Sequence, residues 1–271
     1  MHEKEPRYLY AYAVTRESDT VDRALRNVTG VAGEPVSVVR HLGLMALTGP
    51  VPAADHEERA LAARLEDLEW LETTARAHQR VVAAAAEAAP CVLPLRLATV
   101  FRDERGVRAM LDDRLDSLRA ALDRLDGRTE WGVKVYAHEP APAPTGTPRA
   151  AAVSGRDYLR RRAAERHTAQ QETRRVDATA RGIHTALAVL AQETRLHPPQ
   201  NPRLSRHPDR NVLNAAYLVR REDAPSFTSA VAGLAELAPG DGMRVELTGP
   251  WAPYSFAGQD DTAQDAGPEP S

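Results

Sequence analysis

The chain carries nine histidines and one cysteine. Their spacing decides which chemistries are open to it. His56 begins the run His56-Glu57-Glu58-Arg59-Ala60. A zinc-protease helix needs a second histidine four residues after the first, so that both nitrogens share one helix face; position 60 is alanine. His197 and His207 flank a proline-rich stretch with Asp209 close by. A metal site there would need a fixed geometry that such a segment does not impose, and surface histidines account for the pattern better. Cys91 has no local cation or base to lower its thiol pKa, so it reads as a small core residue. As the only cysteine it allows neither an intrachain disulfide nor a cysteine-based zinc site. Asp112 and Asp113 are adjacent on a helix and point about 100° apart, which places them poorly for sharing a proton. No G-x-x-x-x-G-K-[ST], G-x-G-x-x-G or G-x-S-x-G pattern occurs; the glycines of TGVAGEP and PGDG read as turns. Lys134 lies in a strand-like run with no glycine loop before it. The residues therefore point to no catalytic group, no cofactor and no metal, and the chain is not expected to be an enzyme.

Charge and length narrow the partners. The 271 residues suit one large domain or two ordinary ones, and 42% hydrophobic residues suffice for a core. The net charge of −3 argues against a nucleic-acid binder acting through bulk charge. Tyr8, Tyr10 and Tyr12 alternate on one strand face, as a base-stacking platform would. No basic residue interleaves them, so packing against a helix is the better reading. The start MHEKEPRYLY lacks an apolar signal core, and no run approaches the ~18 apolar residues of a membrane span. A soluble cytoplasmic protein is expected, with no nucleic acid or membrane partner.

The elements that must position these residues follow from periodicity. RYLYAYAV reads as a strand, and Ser18 or Asp19 can cap a short helix through Val21, Leu25 and Val28. VSVVRH and LGLMALTGP read as two strands joined tightly near His41-Leu42-Gly43. One long helix is predicted over about 53–88, with Leu61, Leu65, Leu68, Ala75 and Val82 near a 3-4 spacing and Leu71 beside the stripe. Its charges are mostly acidic: Glu57, Glu58, Glu66, Asp67, Glu69 and Glu72. A strand from Val92 to Phe101 follows, with Pro94 marking an edge. Next come a leucine-striped helix from Val107 to Leu125 and a strand from Trp131 to Ala137. A second long helix is predicted over about 156–196, with Val176, Ala180, Ile183, Leu187 and Leu190 at 4-3-4-3 and a basic first half from Arg156 to Arg175. This alternation resembles a coiled-coil seam, and the opposite charges would favour pairing of the two helices or packing on a partner, although solvated faces on a shared core are the simpler reading.

The tetrapeptide LTGP occurs at Leu47–Pro50 and again at Leu247–Pro250. TRESDTVDRALRNV after the first strand resembles RREDAPSFTSAVAGL after Val219, so LTGP is expected to close a repeated β-α-β unit in each half. The predicted organisation is an N-terminal α+β domain over 1–137, a Pro/Ala-rich linker over 138–155, a C-terminal α+β domain over 156–257 and a disordered acidic tail over 258–271.

Four stretches in order carry a family likeness: RYLYAYAV, VLPLRLATVF, SGRDYLRRR and LTGPWAPYSF. Together they resemble the gas vesicle protein F/L family over about Tyr8 to Phe256. The family pattern has Phe-Gly where this chain has Leu97-Ala98, which adds a Cβ at a place of close backbone approach. The resemblance implies an α+β fold of two ferredoxin-like β-α-β based domains joined and packed by long helices. It also implies a non-enzymatic accessory protein, associated with gas vesicles, that binds the small hydrophobic major shell protein and assists nucleation and assembly. Other gas vesicle accessory proteins are further candidate partners. F-type and L-type members are not separable on these motifs. Candidate contact residues are Glu66, Glu69, Trp70 and Leu71 on the acidic helix, Leu95 on the strand edge, and Arg160, Arg161 and Arg166 on the basic helix. WAPYSF is expected to lock the last strand through Trp251, Tyr254 and Phe256. The alternative function is a regulatory module that binds a small molecule or nucleotide between paired ferredoxin-like domains.

Overall fold

In the computed structural model, residues 6–138, 155–199 and 209–258 are described. The linker expected at 138–155 and the acidic tail lie almost wholly outside them. The described chain is a mixed α+β fold with two antiparallel-type sheets and two compact units. One unit comprises residues up to Glu130 together with those from Pro250 onward; the other is Trp131–Gly249. The division therefore falls ahead of the Trp131 strand rather than in the Pro/Ala segment, and the last residues return to the first unit.

In the first unit the order is β1 (Arg7–Arg16), α1 (Asp19–Leu25), β2 (Ser37–His41), β3 (Leu44–Pro52), α2 (Ala53–His56), α3 (Glu58–Leu65), α4 (Leu68–Ala88), β4 (Leu93–Pro94), β5 (Val100–Phe101), α5 (Glu104–Asp113) and α6 (Leu115–Leu125). The sheet runs β2-β3-β1-β4, with β5 also on β1. All its pairings are antiparallel. β1 is central, and Tyr10 through Val14 are wholly buried; its register on β3 slips between Ala11 and Ala13. The β2–β3 turn puts Leu42 at φ 50° and Gly43 at φ 79°, the pair of left-handed residues that a two-residue hairpin requires.

The long helix expected over 53–88 is three helices. Glu57 leaves helical geometry at ψ 149°, and Asp67 caps α4 by accepting from the N–H groups of Glu69 and Trp70 at 3.0 and 3.2 Å. The predicted leucine stripe crossed that break. The buried face of α4 is instead Thr74, Ala77, His78, Val81, Val82 and Ala85, while Leu65 and Leu68 are exposed. The Val92–Phe101 strand is also interrupted. After β4 the chain turns through Leu95–Thr99 with Ala98 at φ 64° and rejoins the sheet at β5. The leucine-striped helix breaks at Arg114, whose ψ of 15° ends α5.

The second unit contains β6 (Arg128–Ala137) from Trp131 on, α7 (Gly155–Ala188), β7 (Glu193–Leu196), β8 (Arg210–Arg220), α8 (Ala224–Leu237) and β9 (Met243–Trp251) up to Gly249. Its sheet order is β7-β8-β6-β9. Val176, Ala180, Ile183 and Leu187 of α7 are buried in this core, so the heptad-like stripe serves the chain's own fold. Helix is replaced by strand at β7, where the Gln192 N–H donates to Leu218 O at 2.8 Å and pairing with β8 begins; Leu190 already lies past the helix end.

Each unit thus has the strand order second-third-first-fourth. The repeat is real at that level, but its register differs from the one LTGP suggested. The first LTGP lies within the third strand, which runs on to Pro52 with Gly49 and Pro50 paired to Tyr10 and Leu9, and the second lies near the end of the fourth. Gly49 in the first is required by packing, since a Cβ there would overlap the Glu34 carboxylate. Thr248 in the second bonds through Oγ1 to Gly132 O at 3.4 Å. Both copies are strand rather than turn and fall on different strands of their sheets, so the shared tetrapeptide does not mark the repeat.

Candidate functional site

Two kinds of feature stand out in the first unit: a buried polar cluster and an exposed corner. The cluster is built on β1. Tyr10 and Tyr12 stack at 4.7 Å between ring centroids, with His78 of α4 5.7 and 5.5 Å from them. The Ala98 N–H donates to Tyr10 Oη at 3.0 Å. Tyr10 Oη lies 3.0 Å from His78 Nδ1. Placing the hydroxyl proton on that bond makes Nδ1 the acceptor and leaves the histidine proton on Nε2, which is buried without a partner among the described residues. Tyr12 Oη donates to Glu34 and accepts from the Val31 N–H at 2.9 Å. The Ala32 N–H donates to the other Glu34 oxygen at 2.7 Å. Gly30 and Gly49 make room for that carboxylate; a Cβ on either would collide with it.

Burial pushes the Tyr10 hydroxyl up to about 12 and the His78 imidazole down to about 4; burial also raises Tyr12 and Tyr254. The hydrogen bonds of the cluster pin α4 and two loops to β1. The second unit has a parallel: Tyr217 of β8 is 2.9 Å from His184 Nδ1 of α7. Among the described residues no three His, Cys, Asp or Glu groups converge as metal ligands, and no described helix is long and apolar enough to cross a membrane.

The C-terminal segment closes over this cluster. Phe256 is 0% exposed. Its carbonyl accepts from Arg124 Nη2 at 2.7 Å. Ser255 donates through both N–H and Oγ to the buried Glu130 carboxylate, each at 2.7 Å. The Tyr254 ring lies 6.4 Å from His78. Phe256 is therefore structural, as expected, but the core it completes is that of the first unit; Tyr254 is 39% exposed. Trp251 is 37% exposed.

The expected contact residues distribute unevenly. Glu66 and Glu69 sit at the α3–α4 corner, where every residue from Leu65 to Glu69 is exposed. Leu65 is 43% and Leu68 65% exposed. Trp70 and Leu71 are half-buried beside it, and Arg64 lies over the Trp70 ring at 5.9 Å. Leu95 is not on an open strand edge: its N–H donates to Tyr12 O at 2.9 Å. Arg160, Arg161 and Arg166 are exposed on α7, in the other unit. The sequence reading missed Leu65 and Leu68 as surface residues because they fitted a helical stripe. It missed His78, Glu34 and Glu130 because buried polar residues carry no periodicity of their own.

Comparison with known proteins is consistent over residues 8–258. The family described as Gas vesicle synthesis protein GvpL/GvpF matches residues 8–258. Gas vesicle protein L of Streptomyces sp. (strain CB03234) is 51% identical over 256 residues, covering 93% of each chain. Gas vesicle protein F of the same organism is 29% identical over 257 residues, covering 91% of this chain and 98% of the relative. The crystal structure of GvpF from Anabaena sp. PCC7120 shares the fold, with TM-score 0.64, 19% identity and 93% and 96% of the two chains covered. The chain belongs to the gas vesicle synthesis protein GvpL/GvpF family and is a gas vesicle accessory protein.

Proposed function

We propose that this chain is an L-type accessory protein that binds the major gas vesicle shell protein at the α3–α4 corner and assists nucleation and assembly of the shell. The L assignment rests on 51% identity to the L protein of one organism against 29% to its F protein. One observation supports the contact surface: Leu65 and Leu68 lie open to solvent at 43% and 65%, next to half-buried Trp70 and Leu71. A small hydrophobic subunit exposes apolar surface before assembly and needs such a cover. Glu66 and Glu69 form its acidic rim. Arg160, Arg161 and Arg166 offer a second surface, suited to other accessory proteins. The Leu95 contribution is limited to its half-buried side chain. The repeated strand order supports a ferredoxin-like reading of both units, and the protein acts in the cytoplasm without catalysis.

The test is co-expression of the tagged chain with the major shell protein of the same source. The shell protein stays soluble and co-purifies, and Leu65→Ser with Leu68→Ser reduces the bound fraction at least fivefold. A shell protein that aggregates while the tagged chain elutes free overturns the proposal, as does full retention by the double variant.

A further inference from the structure

The first half of α7 is a helix its own fold does not bury. From Leu159 to Arg175 every residue with a described side chain is exposed; burial starts at Val176. That stretch holds six arginines and two glutamates. A helix that is polar all round and this long is marginal in water unless a surface lies against it. The same chain carries a surface of opposite sign. At the α3–α4 corner Glu66, Asp67 and Glu69 are exposed between and beside Leu65 and Leu68, with Glu57 and Glu72 also exposed.

We infer that these two surfaces are partners between copies: the arginine half of α7 of one molecule lies on the acidic, leucine-bearing corner of a second. Charge complementarity carries the pairing. Leu159, 64% exposed, gives the helix an apolar residue to set against Leu65 and Leu68. A net charge of only −3 leaves little general repulsion between copies. Each molecule offers one of each surface, so the contact either closes reciprocally or runs head to tail. Self-association covers the exposed leucines until another apolar partner displaces the helix. The inference concerns the chain alone and stands whether or not the shell protein uses the same corner.

The experiment is sedimentation velocity on the full chain without shell protein, at about 50 and about 500 mM salt, a range over which the screening length shortens severalfold. The chain associates above its 29.6 kDa monomer mass at low salt, and high salt weakens that at least tenfold. E66R/E69R alone and R160E/R161E alone each weaken association at least tenfold, because each puts like charges at the contact. Mixing the two variants restores it, as does one chain carrying all four changes. These sites are exposed, and circular dichroism checks that each variant folds. A chain that stays monomeric at low salt overturns the inference, as does a mixture that associates no better than either variant. Because no shell protein is present, either result leaves the shell-binding proposal to its own test.

Discussion

Replacing Phe256 with alanine tests whether the last residues are part of the first unit's core. The side chain is wholly buried, seven residues after the second unit ends at Gly249. Its backbone is held by the Phe256 and Ala257 N–H bonds to Pro253 O, at 3.1 and 2.9 Å. The neighbouring residue Ser255 satisfies Glu130. The segment thus has few ways to collapse into the space left behind. Removing a buried phenylalanine costs about 3–5 kcal/mol, the transfer loss plus the cavity. That is a large share of the about 5–15 kcal/mol that holds a domain folded. Two units can unfold separately, so a single melting curve is a poor readout. Hydrogen exchange resolves them. Protection of the slowest amides in β1 and β3 falls by about a hundredfold to a few thousandfold, while amides of β8 keep theirs. A loss under fivefold in β1 and β3 refutes the reasoning, since the segment would then lie on the unit without supporting it. An equal loss in β8 refutes it too, because the cost would not be local.

Three further outcomes follow from the buried cluster. His78 has its pKa lowered by burial to about 4 from an ordinary 6.5, so between those values the unfolded chain binds the extra proton. Stability rises with pH across that window and is lost on acidification. From pH 7 to 4.5 the loss assigned to His78 is about 2 kcal/mol. His78→Gln flattens that part of the slope in urea unfolding followed at several pH values; an unchanged slope excludes His78 as the source. Ala98 holds φ 64°, costing a Cβ-bearing residue about 1–2 kcal/mol that glycine partly recovers. Ala98→Gly therefore raises stability by about 0.5–1 kcal/mol, read as a higher urea midpoint at constant m; a lower midpoint contradicts it. Gly49→Ala forces its methyl into the Glu34 carboxylate and costs about 2–4 kcal/mol. The control Gly33→Ala meets nothing within 4 Å but strains a φ of 76°, so it costs only about 1–2 kcal/mol. Equal losses at the two sites would rule out the packing argument.

How much of this was legible in the residues depends on what each pattern measures. The strands were readable because β-branched and aromatic runs end in turn residues whose backbone demands are local; Leu42-Gly43 needed no knowledge of the fold, whereas Gly49-Pro50, expected to close its strand, lies inside β3. Helical stripes were readable only where one helix continued. Over α7 the 4-3-4 spacing from Val176 to Leu187 found the buried face. Over 53–88 the same rule joined Leu61, Leu65 and Leu68 to Ala75 and Val82 through a break that Asp67 creates by capping, and a cap at the centre of a periodic run is a weak signal until the backbone is seen. The error matters because it hid the two exposed leucines on which the proposed contact rests. The polar cluster was illegible for another reason. Glu34, His78 and Glu130 are buried only because Tyr12, Tyr10 and Ser255 reach them from 22, 68 and 125 positions away, and no window along the chain holds both ends of such a bond. The Leu97-Ala98 departure lies between these cases. The family likeness marked it as a place for glycine, and the positive φ of Ala98 gives the reason: its N–H must turn inward to Tyr10. A side chain there is tolerated at a cost in backbone strain, which makes Ala98→Gly a test of whether the Tyr10–His78 bond sets that loop or merely follows it.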